Sequence, residues 1–147
     1  MPAVVAVYPV LKEWRMGEPF SELGVLGPNG KIGDYPRDLV VGQEFSLLLY
    51  VGNHEGQSEY YRVEVKSVDQ TLNISDTMPL DFPSFRSWET VLGNESNTTI
   101  PITMSLGETG PNRRLVFELW RYNPSSHVFV YNQRWTQLWF NVTAPIN

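Results

Sequence analysis

Residues 20–56 read FSELGVLGPNGKIGDYPRDLVVGQEFSLLLYVGNHEG, and their pattern decides the fold class. Phe20, Leu23, Val25 and Leu26 predict a short strand. Gly27-Pro28-Asn29-Gly30 ends it, because proline presets φ and Asn-Gly accepts positive φ. Gly33-Asp34-Tyr35-Pro36 predicts a second bend, with Pro36 holding Tyr35 extended. Val40 and Val41 then lead into Phe45–Val51, where Phe45, Leu47, Leu49 and Val51 alternate onto one face. Leu48 and Tyr50 make the opposite face apolar too, which predicts a central strand covered on both sides. Gly52–Gly56 is expected to turn the chain.

The alternation continues downstream. Tyr61, Val63 and Val65 face inward against Arg62, Glu64 and Lys66, which are expected to reach water. Residues 69–84 form the longest irregular stretch, with Pro79, Pro83, Asp76 and Asp81. Phe85–Leu92 predicts a short strand carrying Trp88. In residues 97–106, Ile100, Ile102, Met104 and Leu106 face in, and Pro101 marks a sheet edge because its nitrogen cannot donate to a ladder. Leu115, Phe117 and Leu119 alternate with Val116, Glu118 and Trp120. Asn123–Ser126 predicts a tight hairpin turn. The return strand runs from Val128 to Val142 with a bulge near Asn132–Arg134. Leu138, Phe140 and Val142 form its core face, opposite Trp135 and Trp139. About seven antiparallel strands with no helical segment predict an all-β fold, an immunoglobulin-like β-sandwich without a disulfide.

The 147 residues fit one domain with a real core, and residues 20–147 are expected to form it, with 1–19 as lead-in or linker. A formal charge of −5 with scattered basic residues argues against nucleic acid and anionic membrane surfaces. Cysteine is absent, which removes disulfides, thiolate metal sites and cysteine nucleophiles. No stretch approaches the roughly 20 apolar residues of a membrane helix. The apolar run Ala3–Val10, interrupted by Pro9, reads as an exposed lead-in or as the remnant of a polypeptide cut just after a membrane helix. Added to a neighbour's sheet edge, Pro2–Val10 would exchange strands between subunits. Four sequons, at Asn73, Asn94, Asn97 and Asn141, pull toward an extracytoplasmic, glycosylated chain, although unmodified polar loop residues satisfy the same pattern.

The segment LGPNGKIGDYPRDLVVGQEFSLLLYVGNHEG with Tyr61–Val65, and the closing pattern RLVFELWRYN…VFVYNQRWTQLWFNVT, resemble the soluble domain of an uncharacterised family of archaeal membrane proteins. The resemblance covers about half the chain. It implies a β-sandwich on the extracytoplasmic face of the cell membrane, following a bundle of membrane helices. It supplies no catalytic residue. This sequence departs from the pattern in carrying no membrane helices and in a longer insertion over residues 69–92.

Three constellations carry candidate chemistry. Asn53-His54-Glu55 could supply a general base or a metal pair. With His127 the sole other histidine and no nucleophile elbow or HExxH, it reads better as turn architecture. Asp69, Asp76 and Asp81 lack the tight spacing of a calcium loop. Trp120, Tyr122, Trp135 and Trp139 share the face opposite the core and form the candidate binding surface, either free to stack on a sugar or partner or covered by the long loop. The sequence therefore points to a non-enzymatic structural or interaction domain of an archaeal cell-envelope protein. Its partners would be a protein, an envelope glycan or its own membrane segment; no cofactor, metal or nucleic acid is expected. A carbohydrate-binding module using the tryptophans as a platform is the alternative, and a hydrolase the weaker one.

Overall fold

The computed structural model describes residues 18–31, 33, 35–69, 73–75 and 77–146. The lead-in Ala3–Val10 and the strand exchange expected of it lie outside these residues. Eight strands follow one another: β1 (Phe20–Leu26), β2 (Asp38–Val40), β3 (Phe45–His54), β4 (Glu59–Val68), β5 (Arg86–Leu92), β6 (Ser96–Met104), β7 (Gly110–Asn123) and β8 (Val128–Thr143). They build a three-stranded sheet, β1-β3-β6, packed on a five-stranded sheet, β2-β8-β7-β4-β5. The molecule is an all-β, immunoglobulin-like sandwich.

Period-two alternation puts Leu23, Val25, Leu47, Leu49 and Val51 on the inner face of the small sheet. Tyr61, Val63, Val65, Leu115, Phe117, Leu119, Leu138 and Phe140 line the inner face of the large one. The layers meet directly, with the Phe45 and Phe140 rings 5.0 Å apart. Each of these side chains is almost wholly removed from water, worth about 1.5–3 kcal/mol for a large apolar group. Tyr61 is fully buried and shares a 2.7 Å hydrogen bond with Ser21 Oγ; burial pushes its phenol far above the usual range. Pro101 lies in β6, an edge strand, as its missing N–H requires.

Four expectations are corrected. The strands are not all antiparallel, because Asp38–Val40 forms a short strand parallel to Asn141–Thr143. The strand at Phe45 does not turn at Gly52: pairing with β1 and β6 carries it through His54. Leu48 and Tyr50 are half-buried on an outer face that no further layer covers among the described residues. Lys66 does not reach water; it is buried beneath the loop at Leu80, whose carbonyl it bonds. The bulge in β8 is present: the register steps from Leu119↔Arg134 to Trp120↔Tyr131, and Gln133 adopts φ 58°. Two extra residues keep the parity, so the aromatic residues on both sides of the bulge share the outer face.

Candidate binding surface

The outer face of the five-stranded sheet carries an aromatic cluster at the end nearest the β7–β8 turn. Antiparallel pairing sets Tyr122 opposite Phe129 and Trp120 opposite Tyr131. Tyr60 joins from β4, its ring centroid 5.6 Å from Tyr122 and 4.9 Å from Phe129; Tyr122 and Phe129 are 5.3 Å apart, edge to face. Such contacts add about 0.5–1.5 kcal/mol each beyond burial. The Arg62 guanidinium lies 4.1 Å above the Phe129 ring and bonds Glu89 at 2.9 and 3.0 Å. Tyr60 donates its hydroxyl to the same carboxylate. That hydroxyl, and then Arg62, hold Glu89 below the ordinary carboxylate range. Val91, paired with Tyr60, is 67% exposed and extends the patch to the sheet edge.

Trp120, Tyr122, Trp135 and Trp139 are all half-buried on this face. Trp120 and Tyr122 belong to the aromatic cluster, with Trp120 tilted 55° from Tyr131. Trp135 packs against Val68, Leu80 and Val116. Trp139 lies beneath the Arg114 guanidinium, 5.0 Å from its ring centre. The three indoles thus have three different sets of neighbours and do not form one open platform. Tyr60, Phe129 and Tyr131 were missed as members. Strand parity marks all three, since Tyr60 shares the face of Arg62, and Phe129 and Tyr131 that of Trp135.

The middle of the face is covered. Lys66 and Glu118 point outward from neighbouring strands and bond at 2.8 Å with side chains 4% and 1% exposed. Leu80 completes the arrangement: Lys66 Nζ donates to its carbonyl at 2.7 Å, and its N–H donates to Glu118 Oε2 at 2.8 Å. Glu118 Oε1 also accepts from Trp120 Nε1 at 3.3 Å. One loop residue therefore spends both backbone groups on a buried ion pair, while its side chain packs on Val68 and Val116.

Asn53, His54 and Glu55 lie at the end of β3. Asn53 is fully buried; its amide donates to the carbonyls of Gln57 and Leu92, and its oxygen accepts from the Glu55 N–H. His54 stacks on Phe20 and bonds Glu95 through Nδ1 at 2.8 Å and Glu22 through Nε2 at 2.9 Å. Two acceptors on opposite edges of one ring call for the doubly protonated imidazolium. Partial burial alone would lower its pKa, but the bonds to Glu95 and Glu22 and their charges outweigh this and raise it. Glu22 reaches His54 by lying over Gly52, where a Cβ would collide with its Oε1; Tyr50 donates to the same oxygen at 3.1 Å. Glu55 accepts from Ser21 at 2.6 Å and pairs with Arg121 at 2.8 Å.

The sequons differ in setting. Asn73, Asn94 and Asn97 are exposed, but the Asn94 oxygen accepts from Gly56 N–H at 2.9 Å. Asn141 is half-buried, accepting from Asn112 N–H and donating to Asp38. Asp69 and Asp81 are exposed, and Asp76 lies outside the described residues. Among the described residues no group of three or more His, Asp or Glu is arranged to hold a metal, and no helix is long and apolar enough to cross a membrane.

Three comparisons bear on this architecture. A family model described as a domain of unknown function (DUF1616) matches residues 15–141. No curated protein matches the chain. Among solved structures, the CARDB domain of the PF1109 protein from Pyrococcus furiosus, in complex with di-metal ions, superposes with a TM-score of 0.52. It is 12% identical, over 86% of this chain and 96% of that one. The solution structure of the same domain gives 0.55 at 13% identity, over 88% and 100%. A β-glucosidase from Listeria innocua gives 0.51 at 12% identity, over 88% of this chain but 17% of the enzyme. At these identities the likeness concerns the fold.

Proposed function

The chain belongs to the DUF1616 family, a domain of unknown function, and from that premise we propose that it is a non-enzymatic interaction domain held outside an archaeal cell by a membrane protein. The observation that carries the interaction reading is the half-exposed cluster of Tyr60, Tyr122 and Phe129, bordered by Val91 and bracketed by the Arg62–Glu89 pair. Aromatic side chains and arginine are the residues enriched at protein interfaces. The lower part of the same face is already taken by the loop at Leu80, which leaves this end for a partner.

The non-enzymatic reading is supported by His54. In its doubly protonated form both ring nitrogens donate to carboxylates, which leaves no lone pair to act as a base. The extracytoplasmic reading is supported by the sequons and by the resemblance in the β3 and β7–β8 sequences.

Replacing Tyr60, Tyr122 and Phe129 together by serine and measuring co-sedimentation with isolated cell envelopes tests the interaction. Loss of at least tenfold in binding, with the unfolding transition still cooperative, is expected. Undiminished binding would refute the surface. Protease added outside intact cells tests the location: cleavage of the full-length protein within this domain is expected, and protection until lysis would refute it.

A further inference from the structure

At the turn end of the sandwich, Gln57, Glu59, Arg121, Tyr122, Asn123, Pro124 and Val130 line a half-open pocket of about 240 Å³. It lies around the corner of the sheet from the aromatic face, with which it shares Tyr122. Its chemistry is mixed. Arg121 Nη1 is 2.8 Å from Glu55 and 3.5 Å from Glu59, so one cation faces two carboxylates. Gln57 spends its amide on Glu59 at 2.9 Å, which leaves its side-chain oxygen as an acceptor. Asn123 spends its oxygen on the N–H groups of Ser125 and Ser126, which leaves its amide as a donor. The remaining N–H groups of Arg121 have no partner among the described residues. Pro124 and Val130, both exposed, and the half-buried Tyr122 supply apolar and aromatic wall.

We propose that this pocket binds a single neutral sugar ring, a terminal hexose. The lining itself carries one cation and one carboxylate, so it matches neither simple ion well: an anion would meet Glu59 beside Arg121, and a cation would meet Arg121 beside Glu59. A neutral ring with neighbouring hydroxyls, each both donor and acceptor, matches the Arg121, Asn123, Gln57 and Glu59 set, while its C–H face lies on Tyr122. The volume falls below that of pockets for drug-sized molecules and suits one ring. This inference names a ligand separate from the partner of the aromatic face and does not depend on that partner.

The test is a titration of the isotopically labelled chain with a panel of neutral hexoses, followed by amide shifts. At tens of millimolar sugar, the expected shifts cluster at Gln57, Glu59, Arg121, Tyr122, Asn123 and Val130, with affinity on the order of 1 mM for so small a ligand. Val130→Trp, at a position 46% exposed, fills the pocket and is expected to abolish the shifts. Gln57→Ala is expected to weaken binding several-fold while leaving the spectrum folded. No shifts with any hexose, shifts that persist in V130W, or shifts confined to the Trp135 and Trp139 indoles would overturn the proposal. So would preferential binding of a charged amine or carboxylate.

Discussion

Lys66 Nζ lies 2.8 Å from Glu118 Oε1, and the two side chains, on adjacent strands, are almost entirely withdrawn from water. The pair stands on the outside of the large sheet and is buried because Leu80 bonds both partners. An ion pair in such a place holds the long loop in register. Removing Lys66 alone strands a buried carboxylate. Lys66→Met is therefore expected to lower stability by about 3–5 kcal/mol, whereas Lys66→Met with Glu118→Leu recovers a large part of that. Urea unfolding read by tryptophan fluorescence checks it; equal losses in the single and double variants would argue against a buried pair.

His54 predicts a pH dependence. Its folded pKa is raised above 6.5, so the stability it contributes is full below the unfolded pKa and is lost as pH rises through the folded one. The unfolding midpoint is expected to decline from about pH 6.5 upward. His54→Asn is expected to flatten that decline. Titration of the His54 ring protons by NMR should give a midpoint above that of a free histidine.

Gly52 has a packing role that its turn-like sequence hides. A methyl group there would displace the Glu22 carboxylate, which Tyr50 and His54 both hold. Gly52→Ala is expected to cost about 1–3 kcal/mol, as overpacking of a filled site does. It is also expected to lower the His54 midpoint, because Glu22 is pushed off Nε2. An unchanged midpoint would mean the carboxylate finds another route to the ring.

Asn141 carries a sequon but works as a structural residue. Its side chain joins Asp38 at the start of β2 to the Asn112 backbone. Asn141→Gln is expected to cost about 1 kcal/mol and to loosen β2, read as faster amide exchange at Leu39 and Val40. The exposed Asn97 is expected to tolerate the same change within about 0.5 kcal/mol.

Much of this fold is legible in alternation alone. The inner faces of β3, β4, β7 and β8 are read directly from apolar residues two apart, and Pro101 names its own edge. What alternation cannot read is burial on the far face. Lys66 has the parity of a solvent residue and is buried because a loop fourteen residues later returns over it. His54 likewise gives no local sign of Glu22 or Glu95, which sheet pairing and the β5–β6 turn bring from 32 and 41 residues away. The short parallel strand at Asp38 escaped because three residues are too few to show a period. Trp120, Tyr122, Trp135 and Trp139 were placed on the right face by parity, yet parity says nothing of which neighbours divide them.

The central claim is that the domain meets its partner through the Tyr60–Tyr122–Phe129 end of the large sheet. A photo-crosslinking amino acid at position 129 of the full-length protein, irradiated in living cells, tests it most directly. Position 46, exposed on the outer face of the small sheet, serves as the control. Crosslinked adducts at 129 and none at 46 are the predicted result. Adducts at 46 with none at 129 would contradict it.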